Sequence, residues 1–184
     1  MLFTFTLSKF DDMKIIASLF FGLLWLTFAG GNLYAQDITI ILLRHAEKDV
    51  SATANEDDPE LTAEGQKRAE RLVATVKKYK PEQIFSTVFK RARATATPLA
   101  ENLNPDYRFQ IQFYDYEELE DLARRLLKLK VKSVVIVGHT TTTPELANLL
   151  VKQDKYQPLD DSEYNKIWII KIKKNKIEDK VIEY

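Results

Sequence analysis

The chain has 184 residues, enough for one ordinary domain, with 45% hydrophobic and 29% charged content. Its 27 Lys and Arg balance 27 Asp and Glu. That excludes the basic surplus a sequence-independent nucleic-acid binder needs, while leaving room for a local anion pocket. With no cysteine, disulfides, thiolate metal sites, a cysteine nucleophile and a lipidated N-terminal cysteine are all excluded.

From Ile15 to Gly31 no residue is charged, and Lys14 stands just before this run. A short basic start, an apolar stretch and a small residue at Ala35 read as a secretory signal peptide cut near Ala35–Gln36. Asp11 and Asp12 fit poorly in such a leader, so Met13 is the better start. An uncleaved anchor is the alternative, because the run is just short enough to be marginal for a bilayer. The expected organisation is a leader over residues 1–35 and one domain over 36–184. The domain would then be exported, to a periplasm or beyond, and free of the membrane after cleavage.

Asp37–Leu43 is a nearly continuous apolar run, as in a strand covered on both faces. It ends in Arg44 and His45, and residues 46–60 read as a loop. Thr62 suits the N-cap of a helix carrying Ala69, Leu72, Val73 and Val76 at helical spacing, and Pro81 follows its end. Ile84–Phe85 starts a second strand. Ala92, Ala96, Leu99, Ala100 and Leu103 mark a helix bent at Pro98. Phe109, Ile111 and Phe113 alternate as in a strand, and Leu119, Leu122, Ala123, Leu126 and Leu127 form a helical stripe.

Ser133–Val137 is a second buried-type strand, ending in Gly138 and His139. Thr143-Pro144-Glu145 predicts a helix start, with a capping hydroxyl followed by proline at the first helical position. Residues 166–173 and 176–183 predict a hairpin turning near Asn175. Strands alternating with helices point to an α/β fold: a three-layer sandwich with a mostly parallel central sheet, helices on both faces and a C-terminal β-hairpin.

The only two histidines each follow a buried-type strand. Ligands of open α/β folds bind beyond the carboxyl ends of the strands, so both are expected at one pocket. Arg44 beside His45 adds a permanent charge and a planar fork of donors for phosphate. A neutral imidazole is a competent nucleophile. Helix periodicity turns Arg91 and Arg93 to nearly opposite sides, so only one can face the pocket. The N-terminus of the helix after His139, with Thr140–Thr143, favours an anion.

Leu43-Arg44-His45-Ala46-Glu47 resembles the Arg-His-Gly signature of the histidine phosphatase (phosphoglycerate mutase-like) superfamily, with Ala46 in place of glycine. Leu61-Thr62-Ala63-Glu64-Gly65, the segment Ser86–Ala96 and Val137-Gly138-His139-Thr140 resemble three further family segments in the same order. The resemblance implies that His45 becomes phosphohistidine. Arg44, Arg91 and His139 would complete the phosphate pocket, His139 in its protonated form, with Thr140 as a further donor. Arg91 rather than Arg93 matches the family position.

No metal or cofactor is implied, since the positive charge is built into the protein. A general acid for the leaving group is expected downstream of the second arginine. Asp115 is preferred there over Glu117 and Glu118, and Glu47 is expected to orient the loop. The expected activity is hydrolysis of phosphomonoesters, on a small phosphorylated substrate or a phosphoprotein. A catalytically silent envelope protein that binds phospho-ligands and a protein phosphohistidine phosphatase are the alternatives. A mutase has no feature in its favour.

Overall fold

The computed structural model describes residues 37–51, 57–103, 111–174 and 176–184. The expected leader lies outside them, as do Phe109, Asn175 and residues 52–56 of the first loop. Six strands form one sheet. They are β1 (Ile38–Arg44), β2 (Gln83–Ser86), β3 (Gln112–Phe113), β4 (Ser133–Gly138), β5 (Lys166–Lys173) and β6 (Lys176–Glu183). Their order is β3-β2-β4-β1-β5-β6. The first four run parallel, and the hairpin β5–β6 closes the β1 side antiparallel.

The helices are α1 (Ala63–Val76), α2 (Lys90–Leu103), α3 (Leu119–Leu126) and α4 (Thr142–Val151). Alternation along β1 feeds two cores. Ile38, Ile40 and Leu42 pack with α3 and α4, whereas Ile41 and Leu43 pack with α1 and α2. A strand buried on both faces must be apolar at every position, which is why β1 and β4 read as continuous apolar runs.

Thr62 caps α1 as expected, its hydroxyl accepting from the Gly65 amide at 3.0 Å. Gly65 has a second reason to be glycine. A Cβ there would stand 2.3 Å from the backbone oxygen of Glu47, an atom that already accepts from the Thr62 amide at 2.9 Å. The first turn of α1 is thereby pressed against the loop that leaves His45.

Three expectations change. Helix α4 begins at Thr142 rather than after Thr143, and Pro144 is its third residue. Proline is tolerated there because first-turn amides have no helical acceptor. The Thr143 hydroxyl does not cap; it donates to the Leu43 carbonyl at 3.4 Å. Strand β3 has only two residues; Ile111 just before it packs against the α1–α2 core, whereas Phe113 is 51% exposed and does not. At the hairpin the described residue with left-handed backbone is Lys174, φ 44°. Among the described residues no helix is long and apolar enough to cross a membrane.

Candidate active site

Register brings the two histidines together. β1 and β4 are parallel neighbours, and Arg44 pairs with Gly138 at their carboxyl ends. Strands in a sheet lie about 4.8 Å apart, so the next residues, His45 and His139, emerge side by side. Their ring centroids are 5.3 Å apart. Gly138 permits this crowding, since a Cβ there would stand 2.7 Å from the Thr143 hydroxyl and 3.0 Å from the Tyr114 hydroxyl.

The tautomer of His45 follows from its partners. Nδ1 lies 2.8 Å from the Ala46 carbonyl. A carbonyl only accepts, so Nδ1 carries the proton and donates. In the neutral ring Nε2 then holds a bare lone pair, and it accepts from the Nε–H of Arg91 at 3.3 Å. The side chain is nearly enclosed, 3% exposed.

Arg91 is aimed by the start of α2. The Asp58 carboxylate accepts the Lys90 amide at 2.8 Å and lies 3.8 Å from Nη1 of Arg91. Thr95, one turn along, accepts the Ala46 amide at 2.9 Å and so ties the nucleophile's loop to the same helix. Arg93 is exposed on the other side. Ala46 is fully buried against Leu61 and Ala69, so its methyl fills a small apolar pocket where the family signature has glycine.

Arg44 is divided between two tasks. It is 2% exposed, and its Nη1 donates to the carbonyls of Asp160, Asp161 and Glu163 at 2.9, 3.0 and 3.1 Å. The guanidinium lies 4.1 Å over the ring of Tyr164. Nε is buried with no hydrogen-bond partner among the described residues, and Nη2 lies 3.8 Å from the exposed Asp161 carboxylate. A buried donor left unpaired costs about 1–3 kcal/mol, so this edge of the fork is suited to an acceptor brought from outside.

His139 shares a 2.9 Å hydrogen bond between Nε2 and the Thr87 hydroxyl, which follows β2. Its own amide donates to the Thr142 hydroxyl at 3.1 Å. The carbonyl of Thr140 accepts from the Leu159 amide at 3.1 Å. Glu47 orients the loop, held by Arg68 at 2.6 Å. Asp115 is exposed and makes no hydrogen bond or ion pair with any of these groups; its Oδ1 accepts the Glu117 amide at 2.9 Å, closing a turn before α3.

Both imidazoles sit far below their ordinary value near 6.5. Burial is the main cause at His45, with His139, Arg44 and Arg91 adding to it. The bond to Ala46 opposes them, and the result is about 3. Burial and then Arg91 and Arg44 lower His139 to about 4. Burial and the two guanidinium groups therefore favour a neutral His139 ring at neutral pH, whereas the expected protonated ring belongs to the transition state, where the charge of the substrate is added.

The consequence for stability has a definite sign. The folded values lie below the unfolded one, so the unfolded chain takes up protons first. Stability from these groups is complete above pH 6.5 and is lost as pH falls toward 4 and 3. With only two histidines, proton NMR resolves each ring. Neither should titrate near 6.5, and saturating phosphate should raise at least one midpoint. Ordinary midpoints in the free protein would contradict the burial described here.

Residues 40–128 match the model of the histidine phosphatase superfamily, branch 1. Over these residues, just under half of the chain, the sequence is similar to the histidine phosphatase superfamily. Solved structures with the same fold include the protein histidine phosphatase SixA complexed with tungstate (16% identity, TM-score 0.61, covering 79% of this chain and 97% of that one). They also include the alpha-ribazole phosphatase of Shigella flexneri (13% identity, TM-score 0.64, 80% and 96%). A third is a mycobacterial glucosyl-3-phosphoglycerate phosphatase (15% identity, TM-score 0.57, 80% and 98%). No curated protein sequence matches the chain.

The superfamily match contains Arg44, His45 and Arg91 but stops before His139, which joins them through the β1–β4 register. Sequence reasoning missed Thr87, Thr95, Asp58 and Tyr164. Thr87 and Thr95 lie within the matched Ser86–Ala96 segment, where their spacing from Arg91 was the available signal.

Proposed function

We propose that this chain is a phosphatase of that superfamily, hydrolysing phosphomonoesters through a phosphohistidine on His45. The observation that carries the reading is the bare Nε2 of His45, fixed by the Nδ1–H bond to Ala46 and set between Arg91 and His139. In the first step the Nε2 lone pair forms the N–P bond as the ester P–O bond breaks and the leaving oxygen takes that bond's electrons. Water then forms a P–O bond, the P–N bond breaks, and phosphate leaves. The Nε edge of Arg44, the Arg91 guanidinium and His139 would hold the equatorial oxygens, with Thr140, just before α4, as a further donor. A dianion arriving at His139 offsets the two guanidinium charges that depress it, so His139 gains its proton with the substrate.

Asp115 makes no hydrogen bond to the groups around His45, and a leaving group that is a weak base is the one that needs an acid least. This is also why silent phospho-ligand binding stays the competing reading. Rapid quench of the protein with an aryl phosphate decides between them: the enzyme shows a burst of product and acid-labile phosphate on the protein, and a binder shows neither.

Export is proposed on the uncharged run Ile15–Gly31. Its substrates would then be small extracytoplasmic phosphoesters or phosphoproteins, with no nucleic-acid partner. Expressed from Met13 with its leader, the protein should be recovered outside the cytoplasm, starting near Gln36. Recovery in the cytoplasm with the leader intact would refute this.

A further inference from the structure

We propose that the group released is a phenol-type ring bonded through oxygen directly to the phosphoryl group, selected by an aromatic wall of Phe89 and Tyr116. The inference rests on the phosphate pocket assigned above and names its substrate class. Phe89 touches two of the four phosphate-binding groups: its ring lies 4.5 Å from the Arg91 guanidinium and 5.3 Å, edge-on at 88°, from the His139 ring. Tyr116 stands 5.6 Å from Phe89 and 6.1 Å from His139. Aromatic rings pair at centroid separations of about 4.5–7 Å. A ring one bond beyond the ester oxygen therefore falls within reach of this wall, whereas a base held a sugar away from the phosphate would overshoot it.

The surroundings agree. Of the five large apolar side chains exposed among the described residues, Val88, Phe113 and Tyr116 lie at or within three residues of the carboxyl ends of β2 and β3. An apolar lip concentrated at the mouth of a charged pocket marks where an apolar ligand group rests. Beyond Tyr116 the surface is predominantly acidic, with Glu117, Glu118, Glu120, Asp121 and Glu145 along one groove, where the cation Arg124 pairs with Glu120 and Asp121. That selects against a second anionic group at the far end of the ring. A phenolate also departs as a weak base, in keeping with the engagement of Asp115 in its turn.

Leaving-group reactivity would blur a comparison of substrates, so the test uses inert phosphonates. Phenylphosphonate should bind the full domain about tenfold more tightly than methylphosphonate. In Tyr116→Ala that ratio should fall toward one while inorganic phosphate binds as before; in Phe89→Leu the ratio should fall as well, measured against that variant's own phosphate affinity because the Phe89 ring packs on Arg91. Equal binding of the two phosphonates by the native protein, or a ratio unmoved by both variants, overturns the aromatic wall and leaves the phosphatase reading intact. Failure of phosphate and both phosphonates to bind overturns both.

Discussion

His45→Ala is expected to lower the hydrolysis of an aryl phosphate by at least ~10³-fold, without unfolding the protein. Removing a nucleophile removes the covalent path, and what survives is the electrostatic holding of phosphate by Arg44, Arg91 and His139. The fold should tolerate the change because the ring's hydrogen bonds are few and one is local: it donates to the neighbouring Ala46 carbonyl and accepts one long bond, 3.3 Å, from Arg91 Nε. The amide of residue 45, which donates to the Gly138 carbonyl at 2.9 Å, is unchanged by the substitution. The variant should also lose less stability between pH 6.5 and 4 than the native chain, since it no longer carries a buried imidazole that resists protonation. Steady-state release of phosphate and denaturant midpoints at pH 7 and pH 5 check both parts. Unchanged hydrolysis would end the nucleophile assignment. Lost hydrolysis together with lost phosphate binding and a collapsed midpoint would point to misfolding, and a His45→Gln variant then serves as the better-packed test.

The site was readable where local chemistry is unusual, and unreadable where it depends on distant loops. Arg44, His45 and His139 stand at the ends of apolar runs, and a strand end in an α/β sheet is a binding position before any coordinates exist. Helical spacing lets only one of Arg91 and Arg93 face the pocket, and the resemblance to the family segment is what points to Arg91. The Thr62 cap and Gly65 could be read as a helix start, though not the contact with the Glu47 carbonyl that makes glycine obligatory. Asp115 looked suitable because it lies between a strand and a helix, but that same place is where a turn needs a carboxylate for its free amides. The Phe89–Tyr116 wall joins residues that follow different strands, and no periodicity relates them. Alternation at Ile111 and Phe113 suggested a longer inward-facing strand; a two-residue edge strand leaves Phe113 facing solvent instead.

The clearest case of a role hidden from sequence is Arg44, whose partners at 160–163 lie more than a hundred residues away. Arg44→Met is expected to destabilise the fold by about 3 kcal/mol, because charge-assisted bonds to three carbonyls are lost together and the chain segment they anchor comes loose. The same change should reduce turnover by about 10²-fold, the effect of removing one preorganised donor from an oxyanion. Arg44→Lys separates the two edges of the guanidinium. A single ammonium can bond the carbonyls of Asp160, Asp161 and Glu163, or turn toward the bound phosphate, but it has no planar fork with which to do both. Stability and catalysis should therefore not be rescued together: a variant with a native urea midpoint should remain deficient in turnover, and one with native turnover should unfold early. Recovery of both in Arg44→Lys would mean that charge alone suffices, and that the unpartnered Nε does not reach the phosphate.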